Sequence, residues 1–414
     1  MKECTDCLNR LSEDWAGINS CRSSEVTLER GDGLDLDLLL VGGAGWGVII
    51  YGLGIVGRRN LKKIKQDFQI QFIIDNSNKY DSYEGLAVKT LEEAETEIRS
   101  HKIVIMGTAS AYRSMAATLE KKGLQEFKDY CGIEQFLVEW YWKYKKEVCL
   151  LQVDVAVALK CTLCCRDCNM FIPYHEGKIF TFEEMKWNFD LFFGHVDYLS
   201  SCILLGGEPL LNPELGRLIE YLGRSYGNKI GKIGIITNGT LKPLDELLRI
   251  IKKYDVEINI SDYTKEVPYK ECFDKVVECF ERAGVVVQIK KDLTWCSFGF
   301  PVNSLKYENP EEHMHRCSTI CHGINDGRYY YCHMAWSAGR LGLFEEKESD
   351  YIDLQTLKDK SKLLRHTLGE IKCGLKFCEL CGGAGSDNCE YVSAGIQIKK
   401  EGCIKHVLQL QNGK

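Results

Sequence analysis

The sequence predicts an α/β protein laid out in succession. A strand–turn–helix unit with a glycine-rich turn comes first. A longer βα series follows, suited to a parallel sheet or partial barrel, and then a cysteine-rich end. Three observations predict this. Short apolar runs alternate with helical stretches from residue 48 onward, a G-x-G-x-x-G pattern joins the first such run to its helix, and 17 of the 21 cysteines lie from Cys149 onward. A chain of 414 residues has room for two or three domains. The expected parts are a poorly defined segment over 1–47, an α/β domain over 48–140, a βα domain over 148–300 and a cysteine-rich domain over 301–414.

Composition narrows the function. Net charge is -6 and hydrophobic content 45%, so a core is available and no basic bulk points to nucleic acid. The start, MKECTDCLNRLSEDWAG, has no apolar stretch behind its lysine, and LDLLLVGGAGWGVIIYGLG is broken by glycines. Neither a secretory signal nor a membrane span is expected, which favours the cytoplasm. Disulfide frameworks belong to small secreted domains, so clustered cysteines here read as metal sites. Isolated ones such as Cys202 and Cys272 read as free thiols. Cys4 and Cys7 form a CxxC, half of a metal site.

The first unit, over residues 48–138, opens with GVIIYGLGIVGRRNLKKI: a strand, then Gly52, Gly54 and Gly57, then a helix. IQFIID is a second strand ending at Asp75, 23 residues after Gly52, and KIVIMGT a third, followed by the helix SAYRSMAATLEKKGL. This is a Rossmann-like pattern. Its glycines permit a tight turn and let a pyrophosphate approach the helix N-terminus, and an acid in the position of Asp75 suits a ribose. Gly52, Gly54, Gly57 and Asp75 are therefore nucleotide-binding candidates. The alternative is a degenerate or sugar-nucleotide-type domain used for docking. The aromatic, basic stretch Phe136–Glu147 is expected as a linker helix packing between domains, with a membrane-surface role as the other reading.

From Cys149 to Leu293 the strands LLQVDVAVAL, YLSSCILLGG, KIGIITN, VEINIS and VVVQIKK alternate with four helical stretches. Active sites of such series gather at the C-terminal strand ends. CTLCC, GGEP, TNGT and SDY all sit there. In CTLCCRDC, Cys161, Cys165 and Cys168 fit C-x3-C-x2-C. Three thiolates suit an iron–sulfur cubane with one iron left open. Zinc is the rival, because Cys161/Cys164 and Cys165/Cys168 are also CxxC pairs. GGEP tilts the balance toward iron and sulfur: Gly206 and Gly207 let backbone come close to a ligand, and Glu208 offers a carboxylate to an ammonium group.

With CxxxCxxC followed by GGEP, the chain resembles the radical S-adenosylmethionine (SAM) superfamily over about Gln152–Lys290. The resemblance implies a partial (β/α)6 barrel and a [4Fe–4S] cluster on Cys161, Cys165 and Cys168. SAM would chelate the open iron, with its amine received at Gly206, Gly207 and Glu208 and its ribose near Asn259 and Ser261. Reductive cleavage would yield a 5′-deoxyadenosyl radical that abstracts a substrate hydrogen, with electrons from a flavodoxin or ferredoxin. The family often carries an aromatic or apolar residue before the third cysteine, where this chain has Asp167. Cys164 is expected to point away.

Farther on, Cys317 and Cys332 bracket Gly327 as C-x9-G-x4-C, and Cys378 and Cys381 form CxxC. These resemble the auxiliary-cluster extension of radical SAM enzymes, of the SPASM or shorter twitch type. A hairpin at Gly327 would bring Cys332 back, and Cys317, Cys332, Cys378 and Cys381 would hold a closed auxiliary cluster for electron transfer. The full two-cluster form expects CxxCx5Cx3C; here Cys389 and Cys403 depart from it, so one auxiliary cluster is expected, with zinc as the rival. Cys321, Cys373, Cys389 and Cys403 remain as additional ligands or hydrogen donors. His322 and His333 read as hydrogen-bonded polar residues, and Arg328 to Tyr331 as strand residues of the hairpin.

The resulting expectation is a radical SAM enzyme that oxidises or epimerises a carbohydrate or other small molecule. A peptide-modifying maturase is the alternative, although no peptide-binding winged helix precedes the barrel. The others are a non-enzymatic zinc or iron–sulfur scaffold and a nicotinamide-dependent dehydrogenase.

Overall fold

The computed structural model describes residues 47–303, 307–318, 321–385, 387–388 and 390–399. The CxxC of Cys4 and Cys7, Cys389 and Cys403 lie outside them. The chain divides into two compact units, Met1–Leu151 and Gln152–Lys414.

In the first unit, β1 (Gly47–Tyr51) leads through the glycine turn into α1 (Ile55–Asp67). Next come β2 (Gln69–Ile74), β3 (Ser82–Tyr83), β4 (Leu86–Lys89), β5 (Lys102–Ile105), α2 (Ala109–Lys121), β6 (Tyr130–Gly132) and α3 (Ile133–Lys145). The sheet runs β3-β4-β2-β1-β5-β6, parallel except at the β3/β4 hairpin. Chain order therefore reverses between β1 and β5, the place where such sheets open a crevice at the strand ends. Ile49, Tyr51, Phe72, Ile74, Ile103, Ile105 and Leu119 fill one core. The aromatic helix begins at Ile133 and buries Ile133–Tyr141; Phe136 and Trp140 pack on Phe68 of this same unit, at centroid distances of 5.0 and 4.3 Å. The β3/β4 hairpin and β6 go beyond the three strands read from the sequence.

The second unit holds an eight-stranded sheet. β7 (Cys149–Ala158), β8 (Tyr198–Gly206), β9 (Ile230–Thr237), β10 (Glu257–Ser261) and β11 (Val287–Lys290) lie side by side in chain order. Between them run α4 (Phe182–His195), α5 (Leu215–Ser225), α6 (Asp245–Lys253) and α7 (Lys270–Arg282). Thr181 and Glu184 form a capping box that starts α4 and satisfies two orphan N–H groups. Strands β8 to β11 pair in parallel, which puts their C-terminal ends on one rim.

The sixth βα repeat of the expected barrel does not follow β11 among the described residues. Residues 291–293 alone lead to β12 (Thr294–Cys296), which pairs antiparallel with β16 (Tyr391–Ser393) as a separate two-stranded sheet. So short a link cannot return a strand in parallel, which takes a crossover of about a dozen residues or more. The large sheet grows instead at its other edge. There β13 (Gly323–Asn325) joins β7, followed by β14 (Arg328–Tyr330) and β15 (Tyr351–Asp353). Asp326 and Gly327 both have positive φ, 56° and 72°, as a two-residue hairpin turn requires. Backbone pairing of β13 to β7 covers Gly323 and Asp154. The Asn325 side chain continues it, accepting from Ala156 N and donating to Ala156 O, both at 3.0 Å. Before and after the hairpin lie α8 (Pro310–Arg316), α9 (His333–Gly339) and α10 (Lys360–Thr367).

Candidate functional site: two groups of thiols in the second unit

Cys161, Cys165 and Cys168 lie in the loop that leaves β7. Their thiols lie within electrostatic reach of one another in all three pairings. Burial pushes Cys161 and Cys165 up to about 12 and raises Cys168 as well. Such thiols give up their protons when a cation takes their place. Each sulfur also meets N–H donors. Cys161 Sγ accepts from Asn238 Nδ2 and Leu163 N, both at 3.4 Å. Cys165 Sγ accepts from Gln397 Nε2 at 3.2 Å. Backbone N–H groups of Met170, Phe171 and Ile172 serve Cys168. Donors around three clustered thiols fit a negatively charged iron–sulfur cluster. Cys164 also couples to Cys165 and Cys168, and its backbone is tied to residue 397.

The GGEP turn packs beside this loop. Gly207 N donates to Ala158 O (2.8 Å) and Glu208 N to Lys160 O (2.9 Å). Gly206 has φ +138°, and a Cβ there would fall 2.1 Å from Ala158 O; at Gly207 it would fall 2.2 Å from Lys160 O. The glycines are thus needed so that the turn can lie against the residues leading to Cys161. Glu208 departs from its expected role. Its carboxylate is fully buried and accepts from Thr237 Oγ1 (2.8 Å), Asn238 N (2.9 Å) and Leu210 N (3.0 Å). Burial pushes it up to about 7. Its side chain therefore fastens β9's end to the turn. Asn238 completes the fastening, through Cys161 and Thr162 Oγ1 (3.1 Å).

Asn259 and Ser261 are buried on one face of β10, with Ser261 bonded to Tyr263, whose ring lies within electrostatic reach of Cys165 and Cys168. Asp167 pairs with Arg166 Nε (2.8 Å) and accepts from Ser297 Oγ (3.3 Å).

The second group is assembled from distant segments. Cys317 ends α8, Cys332 follows the hairpin, and Cys378 and Cys381 lie on a short 3-10 turn, Lys376–Glu379, and just past it. All six pairings among the four thiols interact electrostatically. The four line one cavity together with Phe298, Tyr331, Met334 and Phe377. Burial pushes Cys332 up to about 12 and raises Cys378 and Cys381 as well. Four thiols lining one apolar cavity suit a closed cluster. Among the described residues no three His, Cys, Asp or Glu side chains converge as ligands of one metal ion.

Sequence reasoning missed His313, which also lines this cavity. It bonds Asp387 Oδ2 (2.7 Å) and Cys381 O (2.9 Å) and stacks on Tyr307 at 3.7 Å. It missed Cys296, which couples to Cys381. Cys321 and Cys373 do not line the cavity. His322 is buried and bonds Tyr331 O (3.0 Å), and His333 bonds Asn325 Oδ1 (2.9 Å).

In the first unit, Gly57 lies so close to the turn that a Cβ would come 2.1 Å from Gly52 O, whereas Gly54 faces open space. Asp75 Oδ2 accepts from Leu53 N (2.7 Å) and Oδ1 from Ser77 N (2.9 Å). Against burial, which would raise it, these bonds hold its carboxyl below the usual range. A ribose hydroxyl at Asp75 would share oxygens already bonded to backbone.

Comparison with known proteins bears on the second unit. Residues 155–288 match the sequence profile of the Radical SAM superfamily. Over 91 residues the chain is 35% identical to a GTP 3',8-cyclase of Erythrobacter litoralis (strain HTCC2594), which covers 22% of this chain and 26% of that protein. Among solved structures, Streptococcus suis SuiB bound to S-adenosylmethionine is 23% identical over 36% of each chain, with a TM-score of 0.27. Native anSMEcpe with bound AdoMet and Cp18Cys peptide is 16% identical over 64% of this chain and 96% of that one, with a TM-score of 0.37. BtrN in complex with AdoMet and 2-DOIA is 14% identical over 56% and 93%, at 0.34. The chain spans about a quarter of the curated relative and about a third of SuiB. Residues 155–288 form a domain of the radical SAM superfamily, whose members use a [4Fe–4S] cluster and S-adenosylmethionine. No helix among the described residues is long and apolar enough to cross a membrane.

Proposed function

We propose that this chain is a radical SAM enzyme whose SAM-binding cluster is held by Cys161, Cys165 and Cys168 and whose auxiliary cluster is held by Cys317, Cys332, Cys378 and Cys381. The observation that carries the reading is the close grouping of the three thiols beside a GGEP turn, inside a region that matches the superfamily. When bound, the cluster and SAM supply a 5′-deoxyadenosyl radical able to remove a hydrogen atom from substrate. The protein's own residues do the placing. Gly206, Gly207 and the Glu208 backbone border the position of the SAM amine. Asn259 and Ser261 line the strand end where the ribose is expected. Asn238 holds Cys161 and Thr162 against the turn. The second thiol group supplies a closed electron-transfer site, in the manner of a SPASM or twitch extension.

The reductant is a small electron carrier of the flavodoxin or ferredoxin class. The substrate is a carbohydrate, a sugar nucleotide or another small molecule, which is oxidised or epimerised. What supports this is the first unit, whose strand order and glycine turn resemble a Rossmann-like domain, with Gly52, Gly54, Gly57 and Asp75 as the proposed nucleotide-binding residues.

The test is anaerobic reconstitution, followed by iron and sulfide analysis and EPR with and without SAM. About eight irons per chain and a reduced signal that changes with SAM are expected. Stoichiometric zinc with no SAM-sensitive signal would overturn the enzyme reading and leave a scaffold. Sugars or sugar nucleotides are expected to stimulate 5′-deoxyadenosine formation, and turnover with peptides alone would reverse the substrate assignment.

A further inference from the structure

A segment far along the chain returns to the first thiol loop. β16 is held to β12, Ala394 N donates to Leu293 O at 3.0 Å, and Gly395 turns the chain with φ +92°. A Cβ at Gly395 would lie 2.9 Å from the Tyr263 side chain, so the strand passes close to that ring. It then pairs with the cysteine loop as a short antiparallel ribbon. Arg166 N donates to Ile396 O and Ile398 N to Cys164 O, both at 2.8 Å, with Cys165 opposite Gln397.

At the centre of this ribbon the Gln397 amide is fully engaged. Its Oε1 accepts from Cys164 N at 2.6 Å. Its Nε2 donates to Gly395 O at 2.6 Å and to Cys165 Sγ at 3.2 Å. The network fixes which end is which: a flipped amide would set NH2 against the Cys164 N–H and oxygen against the Gly395 carbonyl. One N–H is therefore committed to the cysteine sulfur. Asn238 and backbone groups serve the other two thiols, so each sulfur of the trio has its own donors.

We propose that Gln397 is a positioning residue that holds Cys165 through this N–H···S bond and makes the cluster on that thiol easier to reduce. The proposal rests on the radical SAM reading above. The physical reason is that an added electron increases the negative charge on the ligand sulfurs. A donor aimed at one of them stabilises the reduced state more than the oxidised one. Reduction of the cluster would draw on the external carrier, so the residue bears on that electron transfer. It comes from the cysteine-rich part of the chain, so this part supplies a group to the SAM-binding thiols as well as its own four.

The experiment is an EPR-monitored redox titration of the reconstituted full-length protein and of Q397L and Q397E. Glutamate keeps the acceptor for Cys164 N–H but cannot donate to sulfur, so it separates the sulfur bond from the loop contact. Q397L is expected to shift the reduction equilibrium about tenfold toward the oxidised cluster, ~59 mV for one electron, and Q397E at least as far. Equal potentials in all three proteins would overturn the proposal. In apo protein, hydrogen exchange at the Cys164 amide is expected to be faster in Q397L than in wild type; an unchanged rate would overturn the contact itself. Failure of the wild-type protein to bind iron would overturn the function proposed above. Iron-loaded wild type with indifferent variants would overturn this inference alone.

Discussion

The two thiol groups of the second unit are built in opposite ways. The trio of Cys161, Cys165 and Cys168 comes from one loop of eight residues after a buried strand, and only its side-chain donors, Asn238 and Gln397, arrive from elsewhere. The quartet of Cys317, Cys332, Cys378 and Cys381 comes from three separate segments, which a hairpin, a helix end and a 3-10 turn bring to one cavity. A local loop can present thiols even when much of the fold around it is loose. A site gathered from distant segments exists only while the fold is intact. The trio should therefore be limited by its cofactor and the quartet by stability.

The largest expected effect tests whether the groups are separate. C165S should abolish the SAM-sensitive EPR signal and 5′-deoxyadenosine formation, and lower iron from about eight to about four per chain. Loss of all iron would break the comparison by showing that the quartet depends on the trio. C378S should remove the other four irons, keep the SAM-sensitive signal, and lower the melting temperature of the loaded protein more than C165S does, because metal binding to a gathered site is also folding energy. Next in size is G207A, whose Cβ would overlap Lys160 O. A loss of about 1–3 kcal/mol in denaturant unfolding is expected, together with weaker SAM binding measured by EPR.

A smaller effect follows from pH. His366 Nε2 accepts from Tyr331 N at 3.2 Å, beside the hairpin end that delivers Cys332. Burial lowers this histidine from 6.5 to about 3, so it is neutral in the folded protein, while the unfolded chain takes up a proton below about 6.5. Its contribution is present above 6.5 and lost as pH falls toward 3. Between pH 6.5 and 5 that amounts to at most about 2 kcal/mol. Apo H366Q should show a flatter dependence in urea unfolding over this range; an identical slope would remove His366 as the cause.

The parallel α/β character was legible because buried parallel strands read as apolar runs, and helices α5, α6 and α7 carry clear amphipathic patterns. The trio was proposed from its spacing and GGEP, and the quartet from its resemblance to auxiliary-cluster extensions. What escaped depends on contacts through space. The β3/β4 hairpin and β6 are too short for a period to show. The replacement of a sixth repeat by β13 at the opposite edge turns on Asn325 standing in for a strand partner of Ala156. Glu208 looked like a ligand for an amine because nothing local reveals that Thr237, Asn238 and Leu210 already occupy it. His313 and Gln397 carry no spacing signal, since their partners lie 68 and 232 residues away.

That last separation is also a matter of time. The ribosome extends a chain at ~5–20 residues per second, so the 232 residues between Cys165 and Gln397 take roughly 12–46 s to synthesise. Throughout that interval the nascent cysteine loop stands uncovered by the segment that later pairs with it. The loop gains that cover only when residues 396–398 emerge and dock.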